Sequence, residues 1–330
     1  MRLSIALLLP LAIGFGGTSA LANETEEMLR AAGRANRSGA FAEAAGIYRT
    51  LADRGVPQAA LELGLLHAFG QGVERDLAHA CALFEQAATG GMPEAEKATG
   101  DCYYEGVGGV QDFRLSLNWY EKAANHGYAE ALCAIGNQYF NGKGVARDDA
   151  RGLALCLEGA KSGSPDAQAD LGGRYLRGVG VQRSTADALI WLTKAAEQQQ
   201  PSAALDLGKM YWRGDGVPMD HEAAARWFLV AAKAGDPGAP LLLGRHFFRQ
   251  FVDRLDRTKG PPPDIGWAVE SAYWLTIAAA RNPEPKGRAE AEETRRMIIK
   301  AMPDVEDQVR RRLRAERQNA QPPGQDDAVQ

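Results

Sequence analysis

The sequence predicts an all-α solenoid built from antiparallel helix pairs, and three observations carry that prediction. Glycine recurs with a 36-residue step, at Gly64, Gly100, Gly136, Gly172, Gly208 and Gly244. Each step contains two stretches with apolar residues at helical spacing, joined by a short loop with two further glycines. No single helix pair can bury its own apolar stripe, so neighbouring units must complete each other's core.

The chain opens on MRLSIALLLPLAIGFGGTSALA (1–22), with an early cation at Arg2, an apolar run and a small-x-small end at Ala20-Leu21-Ala22. This is the pattern of a cleaved secretory signal. Gly14, Gly16 and Gly17 interrupt the run well short of the ~20 apolar residues that a membrane span needs. Cleavage near Ala22 would place the protein in the periplasm or outside the cell, with no membrane span. Removing Arg2 from 38 basic residues leaves 37 against 42 acidic ones, a formal charge of −5. That balance gives no basic footprint for nucleic acid.

Residues 23–58 read as a degenerate first unit that keeps Tyr48 and Gly55 but lacks the loop glycines. Five full units follow over 59–238. Counting Ala59 as position 1, helix A covers positions 1 to 11, as in AALELGLLHAF (59–69) or AALDLGKMYWR (203–213). Its sixth residue is the 36-periodic glycine, which costs ~1 kcal/mol against Ala in mid-helix and is best explained by a closely packed neighbour. The loop glycines also repeat, at Gly70, Gly106, Gly142, Gly178 and Gly214, and at Gly72, Gly108, Gly144, Gly180 and Gly216. Five copies argue for architecture, since a phosphate cradle is needed once and in a strand–loop–helix context. Asp76, Asp112, Asp148, Ser184 and Asp220 stand where an N-cap should start helix B. Helix B ends on a pair of small residues and then Gly55, Gly91, Gly127, Gly163 or Gly235, with a proline two residues later at 57, 93, 165, 201 or 237.

A last unit (239–285) keeps LLLGRHFF and AYWLTIAAA but carries an 11-residue insertion containing GPPPD, so 249–266 reads as a loop. Residues 286–316 read as polar amphipathic helices capping the stack, and 317–330 as a disordered tail.

This arrangement resembles the Sel1-like repeat, a tetratricopeptide-related unit, in LGKMYWRGDGVPMDHEAAARWFLVAAKAG (207–235) and IGNQYFNGKGVARDDARGLALCLEGAKSG (135–163). The resemblance implies a right-handed α-solenoid with Tyr103, Tyr139, Tyr175 and Tyr211 of helix A, and Trp119, Trp191, Trp227 and Trp274 of helix B, in the stacked core. It also implies a non-enzymatic adaptor or regulator that binds another protein through its concave face. No cofactor or metal is expected, because the five histidines fall at unrelated positions without HExxH, and neither GxSxG nor SxxK occurs. A cysteine-rich, penicillin-binding hydrolase, an activity linked to some members of the family, is the remote alternative.

Helix A positions 7, 8 and 11 read as one surface. Along repeats five to seven they give Arg174, Arg177, Lys209, Arg213, Arg245, His246 and Arg249, whereas earlier repeats hold Leu65, Leu66, Phe69, Asp101, Cys102 and Glu105 there. The expected partner is therefore a protein with an acidic segment, or alternatively an anionic polysaccharide. Ordinary solvation and pairing within the helix are the competing account of these cations. The cysteines are either buried thiols or two bridges. Cys81 and Cys102 are nearly equidistant from the Gly91 turn, and Cys133 and Cys156 from the Gly144 loop, which would make them neighbours in antiparallel pairs.

Overall fold

The computed structural model describes residues 17–109, 111–258 and 265–320, and among these every regular element is an α-helix. The first helices are α1 (Gly17–Arg37), α2 (Phe41–Asp53), α3 (Pro57–Phe69), α4 (Leu77–Thr89), α5 (Pro93–Glu105) and α6 (Phe113–Asn125). Next come α7 (Ala129–Asn141), α8 (Asp149–Lys161), α9 (Pro165–Arg177), α10 (Thr185–Glu197), α11 (Pro201–Arg213) and α12 (His221–Lys233). The chain continues with α13 (Ala239–Thr258), α14 (Gly266–Arg281), α15 (Pro285–Ala301) and α16 (Asp304–Ala320). No described helix is long and apolar enough to cross a membrane. The expected signal segment lies mostly outside the described residues, as does 321–330 of the expected tail; α16 runs on to Ala320.

The chain forms two compact units, residues 17–102 with 106–109, and residues 103–105 with the described remainder from 111 onward. In the first, α1 packs on α2, α2 on α3 and α3 on α4, around Ala44, Leu51, Leu63 and Phe84. A Cys81–Cys102 disulfide joins α4 to α5, with a Cα–Cα distance of 5.9 Å. In the second, each odd-numbered helix from α7 to α13 pairs with its successor, and α14 supports both α15 and α16. The Cys133–Cys156 disulfide ties α7 to α8.

The 36-periodic glycine marks the closest approach within a helix pair. A Cβ on Gly172 would lie 2.7 Å from Leu192 Cγ, one on Gly208 would lie 2.4 Å from Phe228 Cδ1, and one on Gly244 would lie 2.7 Å from Leu275 Cδ2. The residue that fills this space is helix B's Phe84, Cys156, Leu192, Phe228 or Leu275, and each of the five is buried. The tyrosines and tryptophans expected in the core divide instead. Trp119, Tyr139 and Trp274 are buried, whereas Tyr103, Tyr175, Tyr211, Trp191 and Trp227 are only partly covered. Lys122 and Lys194 complete the cover of Trp119 and Trp191, lying 3.8 and 4.6 Å from their ring centroids.

Helix A starts at Pro57, Pro93, Pro165 and Pro201, where the missing N–H costs nothing. The expected caps form: Asp76, Asp112, Asp148, Ser184 and Asp220 each accept from backbone N–H groups of the first turn of helix B. Gln199, which stands where other units have glycine, is held at φ 63.

The expected loop at 249–266 requires correction. Helix α13 continues ten residues past Phe248 to Thr258, and α14 starts at Gly266. The reason is an apolar i, i+4 continuation in which Phe251 is buried and Val252 and Leu255 pack on the same cluster. GPPPD itself lies outside the described residues. That cluster extends through Ala272, Leu275 and Ala278 to Ala291 and Ile298 of α15 and Val305 and Val309 of α16.

Candidate functional site

The seven sequence-selected basic residues do not share one surface. Position 8 belongs to the core: Leu66, Gln138, Arg174, Met210 and His246 are all buried. Seven residues are almost two helical turns, so position 8 stands over position 1, where Ala59, Ala95, Ala131, Ala167, Ala203 and Ala239 are at most 1 % exposed. Arg174 and His246 are therefore removed from the exposed row. Positions 7 and 11 remain as an i, i+4 pair on the outer side, with Phe69 and Leu65 exposed in the first unit and Arg177, Arg213 and Arg249 exposed in the second.

Arg174 is consumed internally. Its Nε donates to Asp170 Oδ2 at 2.8 Å, Nη1 donates to Val179 O at 3.3 Å, and Nη2 donates to Asn137 Oδ1. Its guanidinium stacks 3.8 Å from the Phe140 centroid, so it joins α9 to α7 beside the Cys133–Cys156 bridge. Arg245 holds the capping helix α15 by two hydrogen bonds to Glu290, both 2.5 Å, which keep that carboxyl below its ordinary pKa. Burial likewise holds the His246 imidazole below its ordinary value, outweighing the attraction of Glu222 3.8 Å away.

What remains is a smaller cationic row on α9, α11 and α13, outside the core. Arg177 and Lys209 share one carboxylate, Asp206, at 3.7 and 3.6 Å. Arg249 Nη1 donates to His221 Nε2 at 3.1 Å, and Arg213 has no side-chain partner among the described residues. Such half-exposed pairs are worth ~0–1 kcal/mol, little enough to be exchanged for a partner's carboxylates.

Sequence reasoning missed a pocket of about 480 Å³ at the C-terminal end of the second unit, walled by Phe247, Trp267, Tyr273 and Trp274. Helix α16 closes one side. Tyr273 donates to Glu316 Oε2 at 2.7 Å, Arg312 stacks 3.7 Å above the Tyr273 ring, and Arg312 also pairs with Glu270 at 2.5 Å. Burial, reinforced by Glu316, pushes the Tyr273 hydroxyl up to about 12, so the ring stays a neutral donor. The alternation of Arg312 and Glu316 one turn apart was the available signal, but nothing in the chain order shows which repeat α16 folds against.

The Sel1 repeat model matches residues 57–92, 93–128, 129–164, 165–199 and 201–236, more than half of the chain. No curated protein matches. Among solved structures, a Sel1 repeat protein from Oxalobacter formigenes is 25% identical with a TM-score of 0.53, covering 78% of this chain and 99% of that one. The c5321 protective antigen of uropathogenic Escherichia coli, which displays an SLR fold, is 25% identical with a TM-score of 0.47 over 86% of this chain. This chain spans 58% of that antigen's length. The immunity protein Pa5087 of Pseudomonas aeruginosa is 22% identical with a TM-score of 0.48, covering 64% and 82% of the two chains.

Proposed function

Because the chain belongs to the Sel1 repeat family, whose members generally mediate protein–protein interaction and are typically non-catalytic, we propose that it is a non-enzymatic scaffold that binds an acidic segment of a partner protein. The observation that carries this reading is the row Arg177, Arg213 and Arg249. Three successive repeats expose an arginine at the same helix position, and no described carboxylate is engaged by Arg213 or Arg249. Exposed guanidiniums at a fixed repeat position are suited to bidentate recognition of carboxylates spaced along an extended segment. Lys209 adds a fourth charge and gives up only its share of Asp206.

The site of action in this reading is the periplasm or the exterior. All four cysteines are bridged, which fits an oxidising compartment, and the N-terminal residues follow the secretory pattern. The test is affinity capture from envelope extract with the mature chain as bait, followed by stoichiometry. A protein partner gives a fixed ratio that falls away as salt rises, since exposed charges are screened beyond ~8 Å at 0.15 M ionic strength. Retention in proportion to polymer length and acid content would replace the protein partner by an anionic polysaccharide. Retention of nothing at low salt would remove the proposal.

A further inference from the structure

The first unit contains a hollow of about 570 Å³ between α1, α2 and α3, within the size range of small-ligand sites. All its lining residues lie beyond Ala22, so cleavage of the leader would leave it intact. Its chemistry is unusual for a structural crevice. Arg34 and Arg37 line it from α1, and neither side chain has a hydrogen bond or ion pair with any described residue. Glu62 lines it from α3, half-buried and equally without an ion pair. Tyr48, only 4 % exposed, lies against the hollow with its hydroxyl unbonded among the described residues, between the influences of Glu62 and Arg37. Opposite charges that share a hollow without pairing leave room for a molecule that bridges them, and the Tyr48 hydroxyl, facing the hollow without a protein partner, is available to bond to that molecule.

We infer that this hollow binds the free carboxylate end of a peptide, with Arg34 and Arg37 donating to the carboxylate and Tyr48 donating beside them. Glu62 accepts from the peptide's N–H or ammonium group, and Gln58 offers both a donor and an acceptor to its backbone amide. Leu29 supplies apolar cover for a side chain. Competing ligand classes fit less well. A phosphate dianion would bring a second negative charge toward the carboxylates of Glu26 on α1 and Glu62 on α3. A sugar would need an open aromatic face, and the Tyr48 ring is buried. This site is separate from the cationic row of the second unit, so the two readings stand or fall independently.

The test uses the mature chain with both disulfides intact and an equimolar pool of tripeptides in three forms: free at both ends, N-acetylated, and N-acetylated with a C-terminal amide. Backbone amide shifts are followed by NMR. The expected result is saturable shifts around Gly33 to Arg37, Tyr48 and Gln58 to Glu62 with the free acids, and affinity lower by roughly tenfold or more with the amide, the scale set by charge-assisted hydrogen bonds. Acetylated and unacetylated acids binding alike identifies the C-terminus of a protein as the ligand. Preference for the unacetylated form identifies free peptides. Arg34→Gln with Arg37→Gln changes two exposed side chains, so it should retain the thermal midpoint while lowering affinity roughly tenfold or more by the same hydrogen-bond scale; Tyr48→Phe should lower it severalfold. Equal binding of acid and amide, no saturable shifts with any pool, or unchanged affinity in the folded double variant each overturns the inference.

Discussion

Gly172 and Gly173 are adjacent in α9, yet replacing each by alanine should move stability in opposite directions. Alanine is favoured over glycine by ~1 kcal/mol inside a helix, so both substitutions begin with the same gain. At Gly173 a new Cβ would approach only the end of the Arg177 side chain, at 2.7 Å from Nη2, and that flexible, largely exposed group can swing away. Its loss of the 3.7 Å approach to Asp206 costs at most ~1 kcal/mol. At Gly172 the Cβ would lie 2.7 and 2.9 Å from Leu192 Cγ and Cδ2 and 3.0 Å from the Leu192 backbone nitrogen, which cannot move without carrying α10 with it. Overpacking of this kind costs ~1–3 kcal/mol and outweighs the propensity gain. The two variants should differ by about 2 kcal/mol, which for a unit of this size corresponds to ~4–8 °C in thermal midpoint. Melting followed by circular dichroism reads the difference directly. A Gly172→Ala midpoint that rises as far as that of Gly173→Ala would refute close packing as the reason for the 36-residue glycine period.

Other perturbations test separate parts of the account. Gln199 occupies φ 63, a conformation that glycine adopts without penalty, so Gln199→Gly should raise the thermal midpoint by an amount corresponding to ~1 kcal/mol, and a lowered midpoint would contradict the strain. Burial holds His246 below its ordinary 6.5, so below that pH the unfolded chain takes up a proton that the native chain resists. Stability should therefore fall on acidification through pH 6.5, and His246→Met, which places there the residue that Met210 supplies at the same repeat position, should flatten that slope in melts measured against pH. The disulfides span sequence separations of 21 and 23, and loss of either should cost ~3 kcal/mol in the chain-entropy model, seen as a lower midpoint for Cys81→Ala/Cys102→Ala or for Cys133→Ala/Cys156→Ala.

The repeating part of the fold was legible because its signals are local and multiplied. One misplaced glycine would have been uninformative, but the loop pairs from Gly70–Gly72 to Gly214–Gly216 all take positive φ, and the N-caps from Asp76 to Asp220 all form. The errors arose where the outcome depended on three dimensions. Proline-rich GPPPD is a strong loop signal in the sequence, yet the spacing of Phe251 and Leu255 just before it continues α13. Position 8 looked like surface because Arg174 and His246 are polar, although Leu66 and Met210 occupy the same position. What buries Arg174 is Asn137 and Phe140, contributed by the preceding repeat, and no reading of a single unit reveals that. The hollow around Tyr48 and Glu62 was hidden for a related reason: α1 belongs to a unit too degenerate to align with the others, so its arginines had no repeat position to be read from.

The central claim is that Arg177, Arg213 and Arg249 bind an acidic segment of another protein. The most direct measurement uses the wild-type chain and the Arg177→Glu/Arg213→Glu/Arg249→Glu variant as parallel baits in envelope extract at low and moderate salt. Exposed charges away from special features alter stability by only about ±0.5 kcal/mol, so the variant should keep its helicity and thermal midpoint. The account predicts a protein retained by the wild type at low salt, released as salt rises, and absent from the variant at either concentration. The same protein retained undiminished by the folded variant at moderate salt would contradict it.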